Sequence, residues 1–132
     1  MKILTNFLIF FQLHWFRGTR YQQILPGNTM QELIELGAIT FLVPGNLPIG
    51  CSPSYLTYFQ GSDKAEYDPL TGCITWLNQF TEYHNELLQK ELDRIRELHP
   101  HVNIVYADYY NAAMRFYHSP KQFGTFTFLK KQ

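Results

Sequence analysis

The stretch Leu33-Ile34-Glu35-Leu36-Gly37-Ala38-Ile39-Thr40-Phe41-Leu42-Val43 sets the fold class, because two residue patterns meet in it at a glycine. Upstream, after the turn signal Pro26-Gly27-Asn28, Thr29 is followed three residues later by Glu32, the spacing of a capping box. Met30, Leu33, Ile34 and Leu36 then fall on one side of a short helix, which Gly37 ends. Downstream, Ala38 to Val43 is a continuous apolar, β-branched run, the pattern of a strand buried on both faces. Helix, glycine stop and buried strand make half of an α/β unit.

The other half lies beyond a change of texture. From Pro44 to Gly72 the chain holds four of its seven prolines and four of its eight glycines, without sustained periodicity, and is expected to be a long loop. A loop of that length inside a compact domain is usually functional or tied down. Then Ile74, Leu77, Phe80, His84, Leu87, Leu88, Ile95 and Leu98 recur mostly at steps of three and four, which predicts one long amphipathic helix. Glu86 with Lys90, and Glu91 with Arg94, support its wet face. His99-Pro100 ends it, since a residue before proline is pushed out of the helical region. Val102 to Ala107 reads as a second buried strand ending at Asp108, and Tyr110 to His118 as a further helix before Pro120.

Helix, strand, loop, long helix, strand, helix implies an α/β fold with a parallel sheet. Parallel strands need cover on both faces and neighbours at their edges. Two of them alone therefore predict the middle of a larger α/β domain.

Composition permits a single globular domain: 132 residues, 45% apolar, 11 Lys and Arg against 11 Asp and Glu. Zero net charge argues against nucleic acid or an anionic membrane as partner, because both need a basic surface. Aromatics are the outlier at 17%. The apolar stretch Met1 to Phe16 is a poor secretory signal, interrupted by Asn6, Gln12 and His14 and lacking a small-x-small cleavage site before Arg17-Gly18-Thr19-Arg20. It is also too short and too interrupted to span a bilayer.

Few residues offer chemistry. Ser52, Ser54, Ser62 and Ser119 are the only serines, and none sits in a Gly-x-Ser-x-Gly elbow. His84 falls on the apolar helical stripe, where a hydrogen-bonded core histidine is expected. His99 and His101 flank Pro100 at a helix end without a third ligand at metal-site spacing, so no metal and no cofactor is expected. Asp108 ends a parallel strand on the edge where open α/β sheets place their sites, yet also suits capping of the next helix. Asn46 follows the first strand in the same way, able to donate from its amide or to close a turn with Gly45. Cys51 and Cys73 lack Cys-x-x-Cys spacing. Their separation leaves open a disulfide, which would contribute roughly 3 kcal/mol in an oxidising compartment, or two buried thiols.

The segment Leu33-Ile-Glu-Leu-Gly-Ala-Ile-Thr-Phe-Leu-Val-Pro-Gly-Asn-Leu-Pro-Ile-Gly-Cys-Ser-Pro-Ser-Tyr-Leu-Thr57 resembles the plant GDSL-type esterase/lipases, within the SGNH hydrolases. So do Tyr67-Asp68-Pro69-Leu70-Thr71-Gly72-Cys73, Trp76-Leu77-Asn78, His84-Asn85 and Tyr106-Ala107-Asp108-Tyr109-Tyr110. Gly45, Asn46, Pro48, Gly50, Asn78, His84, Asn85 and Asp108 are thus family-motif residues, without a catalytic role carried over to any of them. The resemblance implies a flavodoxin-like three-layer α/β/α sandwich, here incomplete. It also implies secreted or extracellular hydrolysis of carboxylic esters of lipids or acylated small molecules, and a Cys51–Cys73 disulfide.

In that family serine attacks the acyl carbon, histidine takes the serine proton, and backbone N–H, Gly and Asn groups hold the oxyanion. The residues that would do this are missing here. The family nucleophile belongs to a Gly-Asp-Ser block, whereas Gly61-Ser62-Asp63 has those residues in another order. The family's Gly-x-Asn-Asp block is absent, and Gly45-Asn46-Leu47-Pro48 is a different motif. No Asp is followed by His in an Asp-x-x-His block. The expectation is a partial hydrolase domain over residues 28–124, flanked by unmatched segments 1–27 and 125–132, and catalytically inactive. The alternative is a binding module that docks on a full-length relative through its unpaired strand edges.

Overall fold

The computed structural model describes residues 26–61 and 66–124. The N-terminal apolar stretch, Ser62 and the 125–132 tail lie outside the described residues.

Helix α1 (Pro26–Glu35) leads into strand β1 (Thr40–Pro44), and helix α3 (Thr75–Leu98) into strand β2 (Asn103–Ala107), with α2 (Pro53–Tyr58) between and α4 (Tyr109–His118) after. The two strands pair in parallel, Phe41 opposite Ile104 and Val43 opposite Tyr106. The chain is therefore α/β with a parallel pair, as the order of elements predicts.

The core lies on one face of that pair. Phe41, Val43, Ile104 and Tyr106 point into a cluster with Met30 and Ile34 of α1 and Leu88, Leu92 and Ile95 of α3. Both helices pack on this same side. The opposite face carries the cross-strand pair Leu42 and Val105, which remain 60% and 46% exposed. The expectation of strands buried on both faces is corrected here: among the described residues one face is covered and the other is not. Among the described residues there are two layers, the parallel pair and the helices on one of its faces.

Local expectations are corrected as well. α1 starts at Pro26, so Thr29 lies within its first turn instead of capping it. Proline suits that position, because its fixed φ is already helical and its missing N–H would have had no partner. Leu36 falls past the end of the helix and is 84% exposed, while Gly37 takes the left-handed conformation (φ +91°) that stops it. The Pro44–Gly72 loop contains a 3-10 turn at Ile49–Cys51 and the short helix α2, which Pro53 opens.

The long helix ends at Leu98 before His99-Pro100 as predicted, with the Glu86–Lys90 and Glu91–Arg94 pairs formed on its exposed side. Its buried face differs from the predicted stripe. Leu77, Asn78, Thr81, Asn85, Leu88, Leu92 and Ile95 are inside, whereas Leu87 and Leu98 are exposed and Phe80 and His84 half-buried. Three polar residues thus run through the middle of the packed face. Asn78 and Asn85 face the loop after β1, and the Thr81 hydroxyl donates to the Leu77 carbonyl of the same helix.

Candidate functional site

Open α/β sheets gather functional groups past the C-terminal ends of their strands. Here that edge is formed by Pro44-Gly45-Asn46 after β1 and by Ala107-Asp108 after β2, tied together by the Gly45 N–H donating to the Ala107 carbonyl at 2.9 Å. The loop that leaves β1 is then held by two amides on α3. Asn85 is 5% exposed; its Oδ1 accepts from the Asn46 N–H at 2.7 Å and its Nδ2 donates to the Asn46 carbonyl at 3.0 Å. One side chain thereby satisfies both backbone groups of one residue, as a neighbouring strand would.

Two turns back along the helix, Asn78 holds the N–H of Gly50. Its Oδ1 accepts from the Gly50 N–H at 2.9 Å, and its Nδ2 reaches Cys51 Sγ at 3.5 Å. The Gly50 carbonyl accepts from the Ile74 N–H at 2.8 Å. A Cβ at Gly50 would stand 2.2 Å from the Ile74 carbonyl oxygen, so only glycine permits this approach. Cys51 and Cys73 are joined as a disulfide beside it, both buried. The segment before Cys73 is shaped by Asp68, whose Oδ1 accepts from the N–H of Leu70 and from the N–H and hydroxyl of Thr71. These bonds, the Thr71 N–H foremost, hold the Asp68 carboxyl below the usual carboxylate range.

Asp108 caps α4, accepting from the Asn111 N–H at 3.0 Å and from its side-chain amide at 2.6 Å. An open cleft of about 300 Å³ beside it is lined by Glu82, Asn85, Tyr106, Asp108, Tyr110 and Asn111. Within it Tyr110 Oη donates to Glu82 Oε1 at 2.5 Å. Burial, with the hydrogen bond to Glu82 and its charge, pushes the Tyr110 hydroxyl well above the ordinary phenol range. Burial likewise raises Tyr106, with Asp108 adding to it. A wider hollow next to it, between Glu82, Asp108, Arg115 and His118, holds about 580 Å³. Neither is lined by a serine or cysteine among the described residues.

The remaining candidates are scattered. Ser52 precedes α2 at its cap position without a capping side-chain bond, and Ser54 is exposed on α2. His84 is half-buried on α3, and burial lowers its pKa by disfavouring the charged imidazolium. His99 Nε2 lies 2.7 Å from Gln31 Oε1 and meets His101 ring edge to ring face at 6.0 Å. Among the described residues no three His, Cys, Asp or Glu side chains gather to hold a metal ion. No helix among them is long and apolar enough to cross a membrane. Asn78 and Asn85 appeared in the sequence only as motif members; their seven-residue spacing, two helical turns, was the signal that could have paired them on one face.

A parallel strand pair joined through a long helix, with polar groups past its strand ends, defines an α/β protein with a parallel sheet. Comparison with known proteins says which. Over 97 residues, or 74% of the chain, it is 62% and 58% identical to two GDSL esterase/lipases of Arabidopsis thaliana and 56% identical to sinapine esterase of Brassica napus. The matched stretch is similar in sequence to GDSL esterase/lipases, and the chain spans about a quarter of the length of these curated relatives. No family model matches the chain, and no solved structure matches it.

Proposed function

We propose that residues 28–124 are the loop-and-sheet portion of a plant carboxylic-ester hydrolase of the GDSL type, and that this chain has no hydrolytic activity of its own. The observation that carries the reading is how the motif residues are used. Asn46 is gripped through its backbone, Asn78 and Asn85 are spent on the loop, and Asp108 on a helix cap. Each is a positioning residue for the C-terminal edge of the sheet. Acyl transfer needs in addition a nucleophile within hydrogen-bond reach of a base and donors at the oxyanion. The parent activity would be hydrolysis of lipid or acylated small-molecule esters. The Cys51–Cys73 disulfide fits a secreted enzyme, since such bonds persist in oxidising compartments.

The test is the purified chain with a short-chain p-nitrophenyl ester. The expected result is no release of p-nitrophenol above the uncatalysed rate. Turnover that a serine-directed phosphonate abolishes would overturn the reading.

A further inference from the structure

The connection between α3 and β2 carries two imidazoles on one tight turn. α3 ends where the His99 N–H donates to the Ile95 carbonyl at 2.9 Å, and the Val102 N–H then donates back to the His99 carbonyl at 2.9 Å. That second bond closes a four-residue turn with Pro100 at its second position, where the fixed φ of proline is already correct. Ile95 and Val102, on either side of it, are buried and anchor it. His99 and His101, the first and third residues of the turn, place their ring centres 6.0 Å apart with the ring planes inclined at 81°.

The proton of one ring is fixed by its surroundings. Gln31 of α1 donates from Nε2 to Glu35 Oε1 at 3.3 Å, because an ionised carboxylate only accepts. The other end of the amide, Oε1, therefore faces His99 Nε2 at 2.7 Å as an acceptor. The neutral His99 ring thus carries its proton on Nε2 and its lone pair on Nδ1. An oxygen holding one ring N–H is the usual means of orienting an imidazole that binds a metal through its other nitrogen. The carbonyl end of α3 beside the turn favours positive charge. Arg96, the nearest cation in sequence, is taken up by the Asp93 carboxylate and the Ile104 carbonyl.

We propose that His99 and His101 form a binding site for a divalent late-transition ion, copper foremost, with His99 ligating through Nδ1. Two imidazoles leave the remaining positions to water, which makes this an open, exchangeable site and not a closed structural centre. A metal–nitrogen distance of about 2.0 Å puts each ring centre about 3.2 Å from the ion, and two rings sharing it roughly 4.5 to 6.4 Å apart. The observed 6.0 Å lies within that span. Mg²⁺ and Ca²⁺ take oxygen ligands and are not served, while among ions that accept imidazole the affinity order places Cu²⁺ first. Binding would clamp the end of α3 to the start of β2 and, through Gln31, to α1. No ester chemistry is involved, so the site stands or falls independently of the hydrolase reading.

The experiment titrates the full 132-residue chain with copper(II) chloride and follows its backbone amides by NMR, where the paramagnetic ion erases signals close to it. The expected result is loss of the His101 and Val102 amides at substoichiometric Cu²⁺, before those of His84 and His118. Zn²⁺, which is diamagnetic, should shift the same amides at higher concentration, and Mg²⁺ should shift none. His101→Ala should weaken Zn²⁺ binding at these amides roughly tenfold or more, and Gln31→Leu about tenfold, whereas His118→Ala should bind as the parent does. Gln31→Glu keeps an oxygen acceptor and should bind at least as tightly as the parent. His101 is exposed, so its replacement leaves the core intact and carries the test should Gln31→Leu lose its far-UV circular dichroism.

First loss of signal outside residues 99–102, an equal response to Mg²⁺, or undiminished binding by His101→Ala overturns the proposal. Parent-like binding by a folded Gln31→Leu overturns the assignment of Nδ1 and the oriented site with it.

Discussion

Replacing Asn85 tests whether the loop after β1 is held by side-chain hydrogen bonds. Asn85→Ala removes both bonds to the Asn46 backbone at a position that is 5% exposed. Each bond contributes about 1 kcal/mol net, and leaving a buried polar group without a partner costs a further ~1–3 kcal/mol. Asn46 is half-buried, so water can reach part of the freed pair, and the expected loss is roughly 3 kcal/mol. With a urea dependence of about 1.5 kcal/mol per M for a chain of this size, the unfolding midpoint should fall by roughly 2 M.

Asn85→Asp sharpens the test. One oxygen still accepts from the Asn46 N–H, but the other now faces the Asn46 carbonyl that Nδ2 meets at 3.0 Å. Burial and that carbonyl raise the new carboxyl's folded pKa above its unfolded value of about 4. Below the raised value the folded chain binds a proton that the unfolded chain does not yet bind, and the O–H replaces the lost donor. The deficit relative to the parent should therefore shrink as pH falls from 7 toward about 4. Urea unfolding followed by far-UV circular dichroism at several pH values reads both effects. A midpoint shift under about 0.3 M for Asn85→Ala, or a deficit for Asn85→Asp independent of pH, would refute the reasoning.

Four further outcomes follow from the same geometry. Gly50→Ala drives a Cβ against the Ile74 carbonyl oxygen, which is backbone and cannot turn aside, and should cost about 1–3 kcal/mol by urea unfolding; a neutral result would mean the loop yields there. Reducing the Cys51–Cys73 bond, which spans 22 positions, should remove roughly 3 kcal/mol, measured as the midpoint difference with and without reductant. His84 has a folded pKa below its ordinary 6.5, so as pH falls below that value the unfolded chain takes up a proton the folded chain refuses, and stability declines. His84→Gln should flatten stability between pH 7 and pH 5. Asp68, also lowered, keeps its contribution above the ordinary carboxylate range and loses it only in stronger acid, where Asp68→Asn should differ least from the parent.

Much of the architecture was readable because punctuation and pattern agreed. Gly37 and Pro100 stand where helices stop, Asp108 where one starts, and continuous apolar runs lie between. The strand pairing followed from the order of elements. Whether both faces of the strands are covered could not be read, because an apolar run reports what a strand tolerates and not what packs on it. Leu42 and Phe41 are neighbours of similar hydrophobicity, yet only Phe41 meets the core. α2 has too few residues to show a helical period. The capping-box spacing at Thr29 was outweighed by Pro26, a stronger helix starter. In α3 the apolar template passed over Leu92 and assigned Asn78, Thr81 and Asn85 no burial, because polar residues on a helix normally mark its wet side. The disulfide was open on spacing and emerged from the motifs around each cysteine.

The two asparagines that hold the loop also fix a length. Asn78 and Asn85 are separated by 7 residues, close to two full turns at 3.6 residues each, which brings both amides to one side of α3. Inserting or deleting one residue between them would swing one amide about 100° away from the other. Either Asn46 or Gly50 would then lose its partner, and no change of side chain nearby could restore it. This stretch of helix therefore tolerates substitution far better than any change in residue count, and among related chains it should serve as a gap-free ruler against which the loop after β1 is measured.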